Sequence, residues 1–302
     1  MMTESDSSWL QVHPEISAAI SERRSVVTLE SAVITHGLPR PINLELARRM
    51  MAEIRKAGAL PAIAAVLEGV AQFGLTHEEL ERLSLDDEAV KISRRDFGWS
   101  KAARRSGGTT VAAAMIMSNA AMVPVFATGG IGGVHPGTGM DVSADLPELA
   151  QTPVAVVCSG AKAILDIPRT FEWLETAGVP VIGYQTDEFP SFYSRESGLS
   201  VRVRADSPTE VADILRAHWE VPSAGGVLIA VPCPESDAIP LQEVQEALRQ
   251  AETEARDVSG AALTPFLLSR MSEYTSGRSL GANLALLRNN AQVAADIAVA
   301  LA

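Results

Sequence analysis

Near-continuous apolar runs at residues 25–30, 62–67, 123–127, 154–158, 179–183 and 227–231 recur along this chain, with longer amphipathic stretches between them. That alternation constrains the fold more than any other feature. A strand that is apolar on both sides has to be covered on both sides, as in a sheet sandwiched by helices. Between the runs, residues 41–57 place Leu44, Ala47, Met51 and Ile54 at helical spacing, with Arg and Glu on the opposite side. Residues 242–256 and 282–300 read as helices in the same way. The fold class is therefore α/β, a single α/β/α layered domain around a central, mostly parallel or mixed sheet. No repeat, low-complexity tract or linker divides the chain, so residues 1–302 are expected to form one domain, with 1–11 as a flexible N-terminal tail. Strand order is not legible at this level.

Charge and cysteine content narrow the function classes. A net charge of −12 and a pI near 4.9 argue against a nucleic-acid polymer as partner, because such a surface needs a basic face. A small anion remains compatible if a few cations converge locally. The two cysteines, Cys158 and Cys233, form no CxxC pair and suggest a reducing cytoplasm. The first ten residues carry no basic and apolar regions of a signal peptide. The apolar stretch 110–130 is broken by Ser118, Asn119 and Pro124, which reads as buried helix and strand, so no membrane partner is expected.

Ligands of open α/β sheets collect at the carboxyl ends of the strands, and three such ends carry unusual chemistry here. Glu30 closes the first run and leads into Thr35, His36 and Gly37. As a buried strand-end carboxyl it suits a general acid, or else an ion-pair partner of Arg94 or Arg95. Another run opens into Thr128, Gly129, Gly130, Gly132, Gly133 and His135, with Gly137 and Gly139 beyond. Such a loop either turns N–H groups toward an anion or simply makes a tight turn. It has neither the Rossmann nor the Walker A spacing. A third run leads to Ser159, Gly160, Ala161 and Lys162. Of 25 basic residues only four are lysines, and a Lys held among Ala, Ile and Leu can attack a carbonyl carbon, chemistry closed to Arg. The alternative is a solvated Lys in a helix's first turn.

Asp141 and Asp145, beside His135, suit a divalent cation that keeps most of its waters, while Ser143 before Asp145 equally resembles a helix start. Lys91 with Arg94 and Arg95 either binds phosphate or forms a solvated face. His36 and His135 have no partners at the spacing of a serine-hydrolase triad, and no zinc Cys/His cluster exists.

Taken together, Leu29–Ser31 with Thr35–Gly37, the 91–96 and 108–112 segments, 126–135, 141–146 and 158–162 resemble the pseudouridine-5′-phosphate glycosidase family, also called indigoidine synthase A-like. Later matches at 183–186, 264–268, Asn283 and Asn289–Asn290 keep the same order, so the resemblance runs from about Val12 to Ala300. It implies an α/β/α homotrimer that reversibly cleaves pseudouridine 5′-phosphate to uracil and ribose 5-phosphate with Mn²⁺. By position it implies Lys162 as Schiff-base nucleophile, Glu30 as proton donor and Asp141 as metal ligand. Lys91, Val111, Ser143, Ala144 and Asp145 are implied as substrate contacts, with Asn283 near the site. Thr128, Gly129, Gly130 and His135 join the candidate substrate-binding set.

Two departures from the family pattern stand out. Pro136 follows His135 where Arg is expected, and 231–234 reads Val-Pro-Cys-Pro in place of Asn-Pro-Ile-Pro. Both are expected to border the site and to bear on substrate choice. The alternatives are an enzyme acting on a different C-nucleoside and a non-catalytic phosphosugar-binding protein. A kinase is disfavoured by the missing phosphate-loop ending.

Overall fold

The computed structural model describes residues 9–137, 140–255, 258 and 263–302, with the backbone alone at 263–265. All the predicted apolar runs are strands, with ends shifted by one or two residues. In chain order the strands are β1 (Leu10–Val12), β2 (Val26–Leu29), β3 (Leu60–Leu67), β4 (Val70–Phe73), β5 (Val90–Ile92), β6 (Gly107–Thr109), β7 (Val125–Ala127), β8 (Ala155–Cys158), β9 (Val181–Tyr184), β10 (Val203–Ala205) and β11 (Val227–Ala230). They lie in the order β1-β4-β3-β2-β7-β8-β11-β9-β10, and β6 pairs with β3 and carries β5. From β3 through to β10 every pairing on this path is parallel. β3 runs antiparallel to β4 and β6. The sheet is thus mixed and mostly parallel, as the sequence implies.

β2, β3, β8 and β11 are buried at every position, which accounts for their unbroken apolarity. One cover is built by the helices Ile42–Lys56 and Arg278–Leu301, which pack on each other, the latter also meeting β2, β7 and β8. The helix Val111–Ala120 packs against β2, β3 and β7. Its first turn is fixed by Thr110, whose side-chain oxygen accepts from the Ala113 N–H at 3.4 Å. Arg278–Leu301 starts a turn earlier than predicted, just after Gly277 at φ +81°.

Of the tail expected over 1–11, Leu10 and Gln11 belong to β1 instead. Leu10 is buried, and β1 pairs with residues 71–73 of β4, because an apolar side chain at an open sheet edge gains more from burial than from water. Residues 1–8 lie outside the described residues. The short strands β5, β6 and β10 carry too few apolar residues to stand out in the sequence.

Candidate active site

β2, β7 and β8 are consecutive and parallel in the sheet, so Glu30, Thr128 and the 159–162 turn leave it on the same edge. Above them lies a cavity of about 430 Å³. Of the predicted site residues, Glu30, Lys91, Val111, Gly129, Gly130, His135, Ser143, Ala144, Asp145, Lys162 and Asn283 line it. Thr128 and Asp141 are not among the lining residues.

Thr128 acts from beneath. It is fully buried, and its hydroxyl donates to Glu30 Oε1 at 2.5 Å. Asn290 Nδ2 donates to the Thr128 carbonyl at 2.9 Å and to Ser159 Oγ at 3.1 Å, tying the β7 and β8 ends together. Burial raises the Glu30 carboxyl above its ordinary 4.5, against the pull of Lys162, the Thr128 hydroxyl and Lys91, while the Asp145 carboxylate pushes the same way as burial. A raised carboxyl that faces a cavity is suited to donating a proton. The ion-pair alternative for Glu30 is not what forms. Arg94 instead grips the buried Glu148 through Nε at 2.6 Å and Nη2 at 2.8 Å. Arg95 is largely exposed, so neither arginine lines the cavity as a phosphate ligand.

Lys162 sits in a turn, five residues before the helix Ile167–Thr176 begins, so it is not a first-turn helical lysine. Its own N–H donates to the Ile131 carbonyl at 3.1 Å, and Ile131 bridges Ala161 in parallel, so the β7 and β8 loops run side by side. Gly160 adopts φ +81°, and a Cβ there would stand 2.2 Å from the Pro190 carbonyl oxygen. Cys158, at the end of the same strand, is no rival nucleophile, since burial pushes its thiol up to about 12.

The glycine loop is spent largely on the protein itself. The N–H groups of Ile131, Gly132 and Val134 donate to Gly160 O, Asp145 Oδ2 and Thr170 Oγ1. The anion it holds is therefore the Asp145 carboxylate, whose other oxygen accepts from Ala112 N–H at the start of Val111–Ala120. Gly132 is needed because a Cβ would come within 2.2 Å of Ser143 Oγ. Ser143 Oγ also accepts from the Asp145 N–H at 3.2 Å, so the predicted helix start is present at Asp145–Gln151. Gly139 lies outside the described residues.

Asp141 is exposed, and its carbonyl accepts from the His135 N–H at 2.9 Å. With Asp145 committed to two backbone donors, a divalent cation here would rest on the Asp141 carboxylate and water. Among the described residues no three His, Cys, Asp or Glu side chains converge on a point. That donor set fits a water-rich Mg²⁺ or Mn²⁺ and does not fit a protein-caged ion.

Desolvation, and then the positive charge of Lys162, lower the proton affinity of the Lys91 amine, with Glu30 and Asp145 opposing. His36, noted in the sequence but not placed among the site residues, and Phe192, not noted there at all, also line the cavity. His36, in the π-helical turn Val33–Gly37, has its imidazole pKa lowered by desolvation and by Lys91, and its Nδ1 lies 2.6 Å from Thr35 Oγ1. Phe192 enters from the 189–194 loop, which no periodicity marks. Neither sequence departure borders the cavity as expected. Pro136 is exposed and absent from the lining, while Val231 and Cys233 are buried in packing, the Cys233 carbonyl accepting from Arg195 Nη1 at 2.7 Å.

The sequence matches the family described as indigoidine synthase A like protein over residues 15–300. The chain belongs to that family. Indigoidine synthase A-like relatives include a pseudouridine-5′-phosphate glycosidase of Methylobacterium nodulans, 51% identical over 97% of this chain and 88% of its own length. Another, from Solibacter usitatus, bears the same name and is 49% identical over 97% of this chain and 99% of its own. Among solved structures, an indigoidine synthase A-like protein of Thermotoga maritima has a TM-score of 0.90 at 37% identity, covering 99% of both chains. A prealnumycin C-glycosynthase, AlnA, crystallised with ribulose 5-phosphate, has the same TM-score and identity, covering 98% of this chain and 97% of its own.

Proposed function

We propose that this chain is a C-glycosidase that reversibly cleaves pseudouridine 5′-phosphate to uracil and ribose 5-phosphate. One observation carries the reading: a buried, raised carboxyl and a lysine, Glu30 and Lys162, face one cavity on a chain about half identical to enzymes of that name. The C–C glycosidic bond offers no heteroatom leaving group, so the paired carboxylates of ordinary glycosidases do not suffice. In the proposed course Glu30 protonates the ribose ring oxygen while the Lys162 amine attacks C1′ and the ring opens. The adduct nitrogen then supplies electrons as uracil departs with a proton at its carbon. The remaining iminium is hydrolysed by water to ribose 5-phosphate and free Lys162.

The other residues bind and orient. Lys91 offers the cation for the phosphate or a developing charge, and a bound anion would offset the desolvation that lowers its proton affinity. Val111, Ser143, Ala144, Asn283, Gly129, Gly130 and His135 contact the substrate, and Thr128 orients Glu30 from below. Asp145 acts through the backbone it holds. A divalent cation, Mn²⁺ by family resemblance, would be held at Asp141 and would supply charge neutralisation and ordered water near the phosphosugar. Homotrimeric assembly and a cytoplasmic setting belong to the same proposal. Among the described residues no helix is long and apolar enough to cross a membrane. The AlnA likeness supports a second reading, synthesis or cleavage of another C-nucleoside through the same pair.

The test is uracil release from pseudouridine 5′-phosphate with Mn²⁺ or EDTA, together with borohydride trapping of the sugar. Metal-dependent release, and trapping lost in Lys162→Ala but kept in Lys91→Ala, is the expected result. Trapping that survives in Lys162→Ala and vanishes in Lys91→Ala would transfer the nucleophile to Lys91.

A further inference from the structure

His36 sits on a turn that is built to bring it close to Lys91. The turn Val33–Gly37 is π-helical, a geometry frequent at functional sites, and it packs against β5 and β6. Lys91 on β5 pairs in register with Gly108 on β6. Gly108 has no room for a side chain, since a Cβ there would stand 2.3 Å from Thr35 Oγ1 and 2.7 Å from the Ser31 carbonyl oxygen. That notch lets the turn close against the strand pair that carries Lys91. His36 is exposed, and both His36 and Lys91 line the cavity. Among the described residues no arginine lines it, so the protein's own positive charge there comes from Lys91, Lys162 and the imidazoles of His36 and His135. Lys162 has to be uncharged to attack a carbonyl carbon.

The hydrogen bonds around the imidazole accommodate a second proton. Nδ1 lies 2.6 Å from Thr35 Oγ1, and the Ala89 carbonyl, on the approach to Lys91, accepts from the ring. While the ring is neutral, the Thr35 hydroxyl can donate to Nδ1. Once it is charged, Nδ1–H donates to Thr35 Oγ1 instead, and the Thr35 hydroxyl turns to the Ser31 carbonyl at 3.3 Å. Both states keep their partners. The charged group that acts on the ring is Lys91 of β5. β6 presents only Gly107, Gly108 and Thr109. The helix Ile42–Lys56 meets the turn through neutral Asn43, which donates to the Ile34 carbonyl at 2.9 Å and to the Ser84 carbonyl of the helix His77–Leu85 at 3.0 Å. Nearby Arg40 is paired with Asp87 at 2.9 Å, and Arg48 with Glu81 at 3.5 Å.

We propose that His36 takes up a proton from solvent when a sugar phosphate dianion binds at Lys91, adding a second positive charge beside the first. In the empty cavity the ring is neutral above its ordinary pKa of 6.5, which desolvation and Lys91 lower further. A dianion beside Lys91 reverses that balance, because opposite charge favours the charged ring. His36 thus gives a charge on demand, where a permanent cation would repel Lys91 in the empty site. This rests on the functional reading above, in which Lys91 receives the phosphate.

Ribitol 5-phosphate carries the phosphate without a carbonyl, so it binds without forming an adduct on Lys162. Its binding to the holoenzyme with Mn²⁺ is followed by titration calorimetry at about pH 7.5, where the phosphate is already dianionic. Two buffers of different ionisation enthalpy give the protons taken up per ligand bound. Wild type should take up about half a proton or more, as a ring does when its pKa rises to the working pH. His36→Gln keeps an N–H donor but cannot gain charge, so its uptake should fall at least about threefold and its Kd rise about tenfold. His135→Gln should keep the wild-type uptake. Binding by wild type with no uptake overturns the proposal, as does uptake that survives in His36→Gln or is lost in His135→Gln instead. If His36→Gln does not fold, His36→Asn, equally unable to gain charge, is read in the same way. Wild type that binds no ribitol 5-phosphate, or Lys91→Met that binds it as tightly as wild type, would instead sink the functional reading beneath the proposal.

Discussion

The hydroxyl of Thr128 and the carboxyl of Glu30 are joined at 2.5 Å beneath the cavity floor, across two neighbouring parallel strands. The bond favours the charged carboxylate, so it restrains the rise that burial imposes on Glu30. Thr128→Val should let the Glu30 pKa climb further, carrying the alkaline limb of kcat/KM to higher pH while kcat falls about tenfold through lost orientation. Thr128→Ser, which keeps the hydroxyl, should restore both. A pH–rate profile of the two variants checks this, and an alkaline limb that moves to lower pH would contradict it.

Glu30 also sets a pH dependence of stability. Because its folded pKa lies above the ordinary 4.5, the folded state binds this proton more tightly than the unfolded chain. Its contribution is complete below that ordinary value and is lost as pH rises through the folded value. Glu30→Gln stays neutral throughout, so its melting temperature should gain on wild type as pH rises from about 4.5 to about 8. Over the same range kcat should stand about 10² to 10⁴-fold below wild type. Thermal melts across pH, paired with activity, provide the check.

Asp145 is a keystone of backbone donors. Its two oxygens accept from Ala112 N–H at 2.9 Å and Gly132 N–H at 2.8 Å. Asp145→Ala would leave one buried and one part-buried donor without a partner, a loss of about 2–6 kcal/mol when each such group costs about 1–3. The urea midpoint should drop accordingly, and an unchanged midpoint would show that water replaces the carboxylate at no cost.

The Arg94–Glu148 pair is half-exposed on the arginine side and buried on the carboxylate side. Arg94→Ala takes the cation from a buried carboxylate that keeps the Thr152 hydroxyl and the Gln151 amide as donors, and solvent reaching the arginine position holds the penalty to about 1–3 kcal/mol. Arg94 does not line the cavity, so the folded variant should keep wild-type KM values. Chemical denaturation with steady-state kinetics separates the two effects.

Asp141 supplies the protein's carboxylate to the proposed cation. Asp141→Asn should raise the Mn²⁺ concentration for half-maximal activity by at least about tenfold, since even outer-shell partners of a metal are worth 10–100-fold. A titration of activity against Mn²⁺ measures it, and an unmoved midpoint would place the cation elsewhere.

The sequence exposes those elements whose physics is local. Fully buried strands such as 155–158 need unbroken apolarity, and helices such as Ile42–Lys56 need a 3.6-residue stripe. β5 and β6 escape notice because three residues, two of them glycine in β6, carry no period. The same divide runs through the site. Glu30 and Lys162 stand at strand ends, where a charge after an apolar run is conspicuous. Phe192 looks like any core aromatic until its backbone angle is known, and the Arg94–Glu148 pairing joins residues 54 apart that no spacing rule connects.

The helix Arg278–Leu301 brings Asn283 and Asn290 to loops that lie more than a hundred residues upstream. On the ribosome, then, Glu30 and Lys162 emerge long before the helix that completes their chamber. A nascent chain arrested ahead of residue 278 would present the apolar undersides of β2, β7 and β8 without their cover, a surface for chaperones to hold. Ligand competence thus arrives only with the helix Arg278–Leu301, so a truncation ahead of Arg278 should be read as a folding defect before it is read as a catalytic one.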